Sequence, residues 1–261
     1  MKFHWCRSDG LVGLAWYAAL WLAALAPAAL GAQVLSPTEQ RVVQAVDRGF
    51  ADAVALLERT VAINSGTHNH AGVRAVGEAL AREFAALGFA TRWVDGAAWG
   101  RAGHLIAEWR GTGQGPRLLL IGHLDTVFEP DSPFQRFQRL GSDSARGPGV
   151  IDMKGGNVVM WLALRALREA GLLDSLRVIA VFTGDEEDSG RPIELARRDL
   201  IAAADWADIA IGFENVCYLH PMGLLLKCAC SDDKHHAIQT FLQLILGYIR
   251  LVSDKVLSVV V

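Results

Sequence analysis

Two short runs made wholly of apolar residues, 118–121 and 178–182, constrain the fold of this chain most. Continuous rather than alternating hydrophobicity means that both faces of a strand are covered, which is how strands inside a parallel sheet behave. Between the two runs, 156–170 carries apolar residues at helical spacing and stops at Gly171, and a helical segment at 193–204 leads to another apolar run at 209–213. Strand, helix, strand, helix, strand dictates an α/β fold, a mainly parallel sheet with flanking helices. Upstream, Ser36, Pro37 and Glu39 supply an N-cap, a first-turn proline and an acidic first turn for a helix reaching about 61. A second helix is expected over 71–87, ended by Gly88, before β-type runs at 89–94, 104–109 and 117–121.

With 261 residues, 52% hydrophobic and 20% charged, the chain has the material for one large or two smaller domains, and disorder is excluded as its main state. The 25 basic residues against 28 acidic ones give a net charge of −3 with no long basic run, so there is no nucleic-acid footprint. Four cysteines without regular spacing do not build a disulfide framework. Lys2 and Arg7 precede an apolar stretch over 11–30 that ends in small residues. This reads as a signal peptide over 1–32, with a mature N-terminus near Ala32 or Gln33, for a periplasmic or secreted protein; left uncleaved, the stretch would be a membrane tether.

In open parallel sheets ligands collect beyond the carboxyl ends of the strands, and here those places are acidic. Gly122-His123-Leu124-Asp125-Thr126 follows the first apolar run, Thr183-Gly184-Asp185-Glu186-Glu187 the second, and Glu214 the third. Between the first two, Gly147-Pro148-Gly149-Val150-Ile151-Asp152-Met153-Lys154-Gly155-Gly156 sets Asp152 on a glycine-rich turn just ahead of a helix. Carboxylates gathered on one rim repel one another unless cations hold them. An imidazole with several carboxylates suits a pair of divalent ions such as Zn²⁺, with a carboxylate on a tight turn able to bridge them. His123 can bind one ion while Asp125 takes its other ring N–H. Of the adjacent glutamates, one can ligate while the other takes a proton from a metal-bound water. No Gly-x-Ser-x-Gly elbow offers nucleophilic catalysis instead. The segment Gly66-Thr67-His68-Asn69-His70 reads as a polar linker, and Trp93, Trp99 and Trp109 as packing residues.

Taken together, Gly122-His123-Leu124-Asp125-Thr126-Val127, the Gly147 to Asn157 turn and Asp185-Glu186-Glu187 resemble the co-catalytic zinc metallopeptidases that include glutamate carboxypeptidase, acetylornithine deacetylase and succinyl-diaminopimelate desuccinylase. The resemblance runs from about Ser36 to Glu214 and is strongest to the carboxypeptidase branch. It implies two zinc ions, with His123 and Glu214 on one, Glu187 on the other and Asp152 bridging them. It also implies Asp125 as the orienter of His123, Glu186 as general base and acid, and a small peptide or N-acyl amino acid as substrate.

Relatives of that kind continue into an inserted lid that also forms a homodimer, and then return to supply a last histidine ligand. Residues 215–261 are too short for this, so a partial catalytic domain over 33–215 and an atypical tail over 216–261 are expected, with the lid and dimerisation domain missing. Composition changes abruptly at Asn215, where Cys217, Cys228, Cys230, His220, His235 and His236 gather, as in a chain truncated or frame-shifted after Glu214. The rival to a zinc-dependent amide hydrolase is therefore an inactive remnant that binds at most one metal ion.

Overall fold

A computed structural model describes residues 35–113, 115–141 and 144–213. The expected signal peptide, the tail and Glu214 lie outside the described residues. Helix α1 spans Pro37–Val61 and α2 spans His70–Ala86. The strands follow as β1 (Ala90–Asp95), β2 (Gly103–Trp109) and β3 (Arg117–His123), then a small hairpin of β4 (Gln138–Arg139) and β5 (Ala145–Arg146). Helix α3 (Gly155–Glu169), β6 (Arg177–Thr183), α4 (Ile193–Trp206) and β7 (Ile209–Gly212) complete the order. Among the described residues no helix is long and apolar enough to cross a membrane.

The main sheet has the order β1-β2-β6-β3-β7. Strands β6, β3 and β7 are parallel, as the apolar runs demand, whereas β2 pairs antiparallel with both β1 and β6. The sheet is mixed in that β2 runs against the common direction of the other four strands, with the parallel β6-β3-β7 portion as expected. Its departure has a local cause: β1 and β2 are joined by a short turn around Ala97–Trp99, and a connection of that length can only reverse the chain.

Side chains alternate across the sheet with period two. Leu118, Leu120, Val178, Ala180 and Phe182 face the larger core, where α1, α2 and α3 supply Val46, Leu57, Leu80, Phe84, Leu162 and Leu167. Ile106, Leu119 and Val181 face the opposite side, where α4 covers them with Ala203 and Leu200. Helix α1 lies tightly on α3, since a Cβ at Gly49 would stand 2.6 Å from Leu162 Cδ1. The three tryptophans pack as expected: Trp99 is buried against His104, Trp109 lies on Phe89, and Trp93 carries the Arg74 guanidinium on its face.

Candidate metal-binding and catalytic site

Strands β3 and β6 run parallel in register, with His123 opposite Thr183, so the segments that follow them emerge side by side at one edge of the sheet. His123 closes β3 and is buried, at 1% exposure. Its Nδ1 lies 3.0 Å from the main-chain oxygen of Asp125 and 3.4 Å from Asp125 Oδ1. A carbonyl can only accept, so Nδ1 carries a proton and Nε2 is the ring nitrogen left to meet a cation. The expected orientation by the Asp125 side chain is thus shared with, and led by, that residue's own backbone.

His123 Nε2 points at Asp152 Oδ1, 2.9 Å away, and Glu186 Oε2 lies 4.0 Å from the same nitrogen. His123, Asp152 and Glu187 each offer a ligand atom within 4.8 Å of the others. Burial first, and then the negative charge of Asp152, push the Glu187 carboxyl up to about 7. An imidazole nitrogen and a carboxylate oxygen meeting at 2.9 Å, beside a second carboxylate that resists ionising, form a donor set that fits a cation. One imidazole nitrogen and two carboxylate oxygens suit Zn²⁺.

Asp125 is wholly buried and acts as a hub. Its Oδ1 accepts from the Glu186 N–H, and its Oδ2 accepts from the Glu187 N–H and the Thr67 hydroxyl, at 3.1, 3.1 and 2.8 Å. Burial alone would raise its pKa, but the hydrogen bonds from His123, Thr67 and Glu186 outweigh burial and hold the carboxyl below its usual value. Glu186 and Glu187 therefore owe the position of their backbone to a residue on the neighbouring strand's loop.

Asp152 stands on the turn Val150–Lys154, entered through Gly149 at φ +73°, a left-handed conformation that favours glycine. The Asp152–Met153 peptide is cis. The turn is fastened below by Lys154, whose buried Nζ donates to the Thr60 and Ile63 carbonyls at the end of α1, at 3.0 and 2.9 Å. Burial pushes this amine down to about 7, while the carbonyls at a helix C-terminus favour its charged form. Met153 Sδ accepts from the His123 N–H, and Asn157 Nδ2 donates to the His123 carbonyl at 2.6 Å, so α3 holds the end of β3 directly.

Three features were not visible in the sequence. Asp185 looks like its two glutamate neighbours but is buried and bonded to Arg197 Nη1 at 2.6 Å and to the Gly190 N–H, which turns it away from the cluster. His104 bridges elements, with Nε2 on the Ala196 carbonyl and Nδ1 accepting from the Gly184 N–H. The segment 66–70 is also more than a linker. Thr67 reaches Asp125, His68 lies 3.3 Å from Asp188, and Asn69 caps α2 by accepting from the Gly72 N–H. Polarity and glycine content were the signals there, and they do not distinguish a linker from an ordered loop.

Residues 119–222 match the sequence profile of peptidase family M20/M25/M40. Carboxypeptidase G2 of Pseudomonas sp. (strain RS-16) is 34% identical over 162 residues, 62% of this chain and 38% of that protein. Succinyl-diaminopimelate desuccinylase of Leptothrix cholodnii is 34% identical over 141 residues, 51% of this chain and 36% of that protein. The chain thus spans well under half the length of these relatives. The fold is similar to that of human carnosine dipeptidase 1, with a TM-score of 0.56, 18% identity, and coverage of 67% of this chain and 40% of that one. Over residues 119–222 the chain is therefore similar to a peptidase M20 domain, and over part of its length to carboxypeptidase G2 and succinyl-diaminopimelate desuccinylase.

Proposed function

We propose that the chain is the catalytic part of an exported, zinc-dependent hydrolase of amide bonds, acting on a small peptide or an N-acyl amino acid. The observation that carries this reading is the convergence of His123, Asp152 and Glu187 within 4.8 Å, in a segment that matches a peptidase family. His123 and Glu187 would each hold a zinc ion, Asp152 would bridge the two, and Glu214 would join His123. Bound there, zinc supplies Lewis acidity toward a carbonyl and lowers the pKa of water. Glu186 is about half exposed and lies 4.0 Å from His123 Nε2, which leaves its carboxylate accessible to a substrate at the cluster. It takes the proton of the attacking water and returns it to the leaving nitrogen. Asp125 keeps His123 in the tautomer that leaves Nε2 available. The names of the two relatives, a carboxypeptidase and a desuccinylase, favour an amide substrate.

Metal content and hydrolysis measured on the same preparation test the proposal. About two zinc ions per chain with cleavage of an N-acyl glutamate or a related dipeptide is the expected result. Glu186→Ala should keep the metal and lose most turnover; full activity in that variant removes the assigned role. One ion or none, without turnover, would return the chain to a non-catalytic remnant.

A further inference from the structure

The loop between α1 and α2 contributes no candidate ligand, yet it reaches the centre of the site. We infer that Thr67 is a positioning residue whose hydroxyl, by fixing the Asp125 carboxylate, sets the His123 ring and the main chain of Glu186 and Glu187 in their working arrangement. The inference deepens the metal-hydrolase reading and rests on it.

Thr67 is buried, at 3% exposure, and its hydroxyl donates to Asp125 Oδ2 at 2.8 Å. Among the described residues, the other partners of that carboxylate come from the end of β3 and from the segment after β6. A carboxylate gripped by two segments that themselves depend on it can turn about its Cβ–Cγ bond. A third, independent segment removes that freedom. As a β-branched residue, threonine has few side-chain conformations to lose in aiming its hydroxyl.

The loop does not depend on the hydroxyl for its own place. The Thr67 N–H donates to the Thr126 carbonyl at 3.2 Å, and the Thr126 N–H donates to the Ser65 carbonyl at 2.8 Å. Gly66 lies so close that a Cβ there would stand 2.6 Å from Glu129 Cα. Main-chain bonds on both sides of Thr67 hold it against the β3 loop. Thr67→Val, which keeps the shape and removes the donor, therefore deletes one hydrogen bond and leaves the loop standing.

The test uses the full chain, with Co²⁺ as a visible probe for the zinc site. Wild type, Thr67→Val and Thr67→Ser are compared by Co²⁺ affinity against a chromophoric chelator, by the cobalt absorption bands, and by kcat and KM on an N-acyl glutamate. Circular dichroism and melting in chelator report folding separately. Thr67→Val is expected to weaken Co²⁺ binding about 10- to 100-fold and to alter the bands, with kcat falling and KM little changed, as for residues that orient metal ligands. Thr67→Ser should keep wild-type affinity. Wild-type affinity and spectrum in Thr67→Val overturn the inference, and so does a Thr67→Ser variant as weak as Thr67→Val. Should Thr67→Val not fold, the Thr67→Ser titration decides alone: retained affinity sustains the role, and a tenfold loss removes it. A wild-type chain that binds Co²⁺ but hydrolyses nothing sinks the hydrolase reading, while the cobalt titrations still decide on Thr67. A wild-type chain that binds no Co²⁺ sinks both.

Discussion

Replacing Asp125 with asparagine tests how much of the site is held by one buried carboxylate. The carboxylate offers acceptors only, and every neighbour it meets is a donor: the Thr67 hydroxyl, two backbone N–H groups and His123 Nδ1. An asparagine keeps one acceptor and adds an NH₂ group. Its least damaging orientation puts the NH₂ toward Thr67, whose hydroxyl can turn to accept, but the Glu187 N–H then faces a donor. Losing a hydrogen bond to a charged group while leaving a buried donor unpaired sums to about 2–4 kcal/mol. The assay is urea unfolding of chelated protein, where a shift in midpoint of about 1 M at unchanged slope is expected. The folded-state pKa of Asp125 is depressed, so its contribution is present above the ordinary value of 3.8 and is lost as pH falls through the lower folded value. The difference between wild type and variant should therefore hold from pH 8 to about 5 and shrink only in strong acid. A variant within about 0.5 kcal/mol of wild type at neutral pH would refute the hub, because surface substitutions already span that range.

Glu187 makes the opposite pH prediction. Its folded pKa is raised to about 7, so its protonated form is favoured, and metal-free protein should lose stability as pH rises from 4.5 through about 7, a loss absent in Glu187→Gln. Metal uptake near pH 7 should release protons, read by calorimetry in buffers of different ionisation enthalpy, and Glu187→Gln should abolish most of that release. Arg197→Met leaves Asp185 buried without its ion partner and should cost about 3 kcal/mol in thermal or urea unfolding; a neutral result would show that solvent reaches Asp185. Gly66→Ala puts a Cβ against the Glu129 backbone and should destabilise by about 1–3 kcal/mol while weakening metal binding; unchanged metal affinity would separate the loop from the site.

Much of this architecture was legible because it follows from local pattern. The proline and acidic turn at 36–39 open α1 where the helix begins, and the uninterrupted apolar runs lie in the strands that pair in parallel. The antiparallel entry through β1 and β2 was missed because the two runs look like any others, and only the shortness of the connecting turn reveals that the chain reverses. Residues 123, 125, 152, 186 and 187 were legible as candidates because carboxylates at strand ends need a reason to gather. Which acid of the 185–187 run faces the cluster was not legible from residue pattern alone, and only the family resemblance pointed to Glu187. The choice depends on Arg197, on a helix formed afterwards, and adjacent acids share one composition. Thr67 was hidden for a similar reason, since its partner lies 58 residues away and no spacing rule links them.

The fastening of Lys154 to the end of α1 has a one-sided consequence for how this sequence can vary. Both acceptors are main-chain carbonyls, which every amino acid supplies, so positions 60 and 63 are under no demand from the bond itself. The lysine has no such latitude, because a shorter or uncharged side chain cannot reach or satisfy them. Drift along the last turn of α1 therefore leaves the depth of Asp152 unchanged as long as the helix keeps its length. One inserted or deleted residue before position 63, invisible to any comparison of residue types, would withdraw the anchor point altogether.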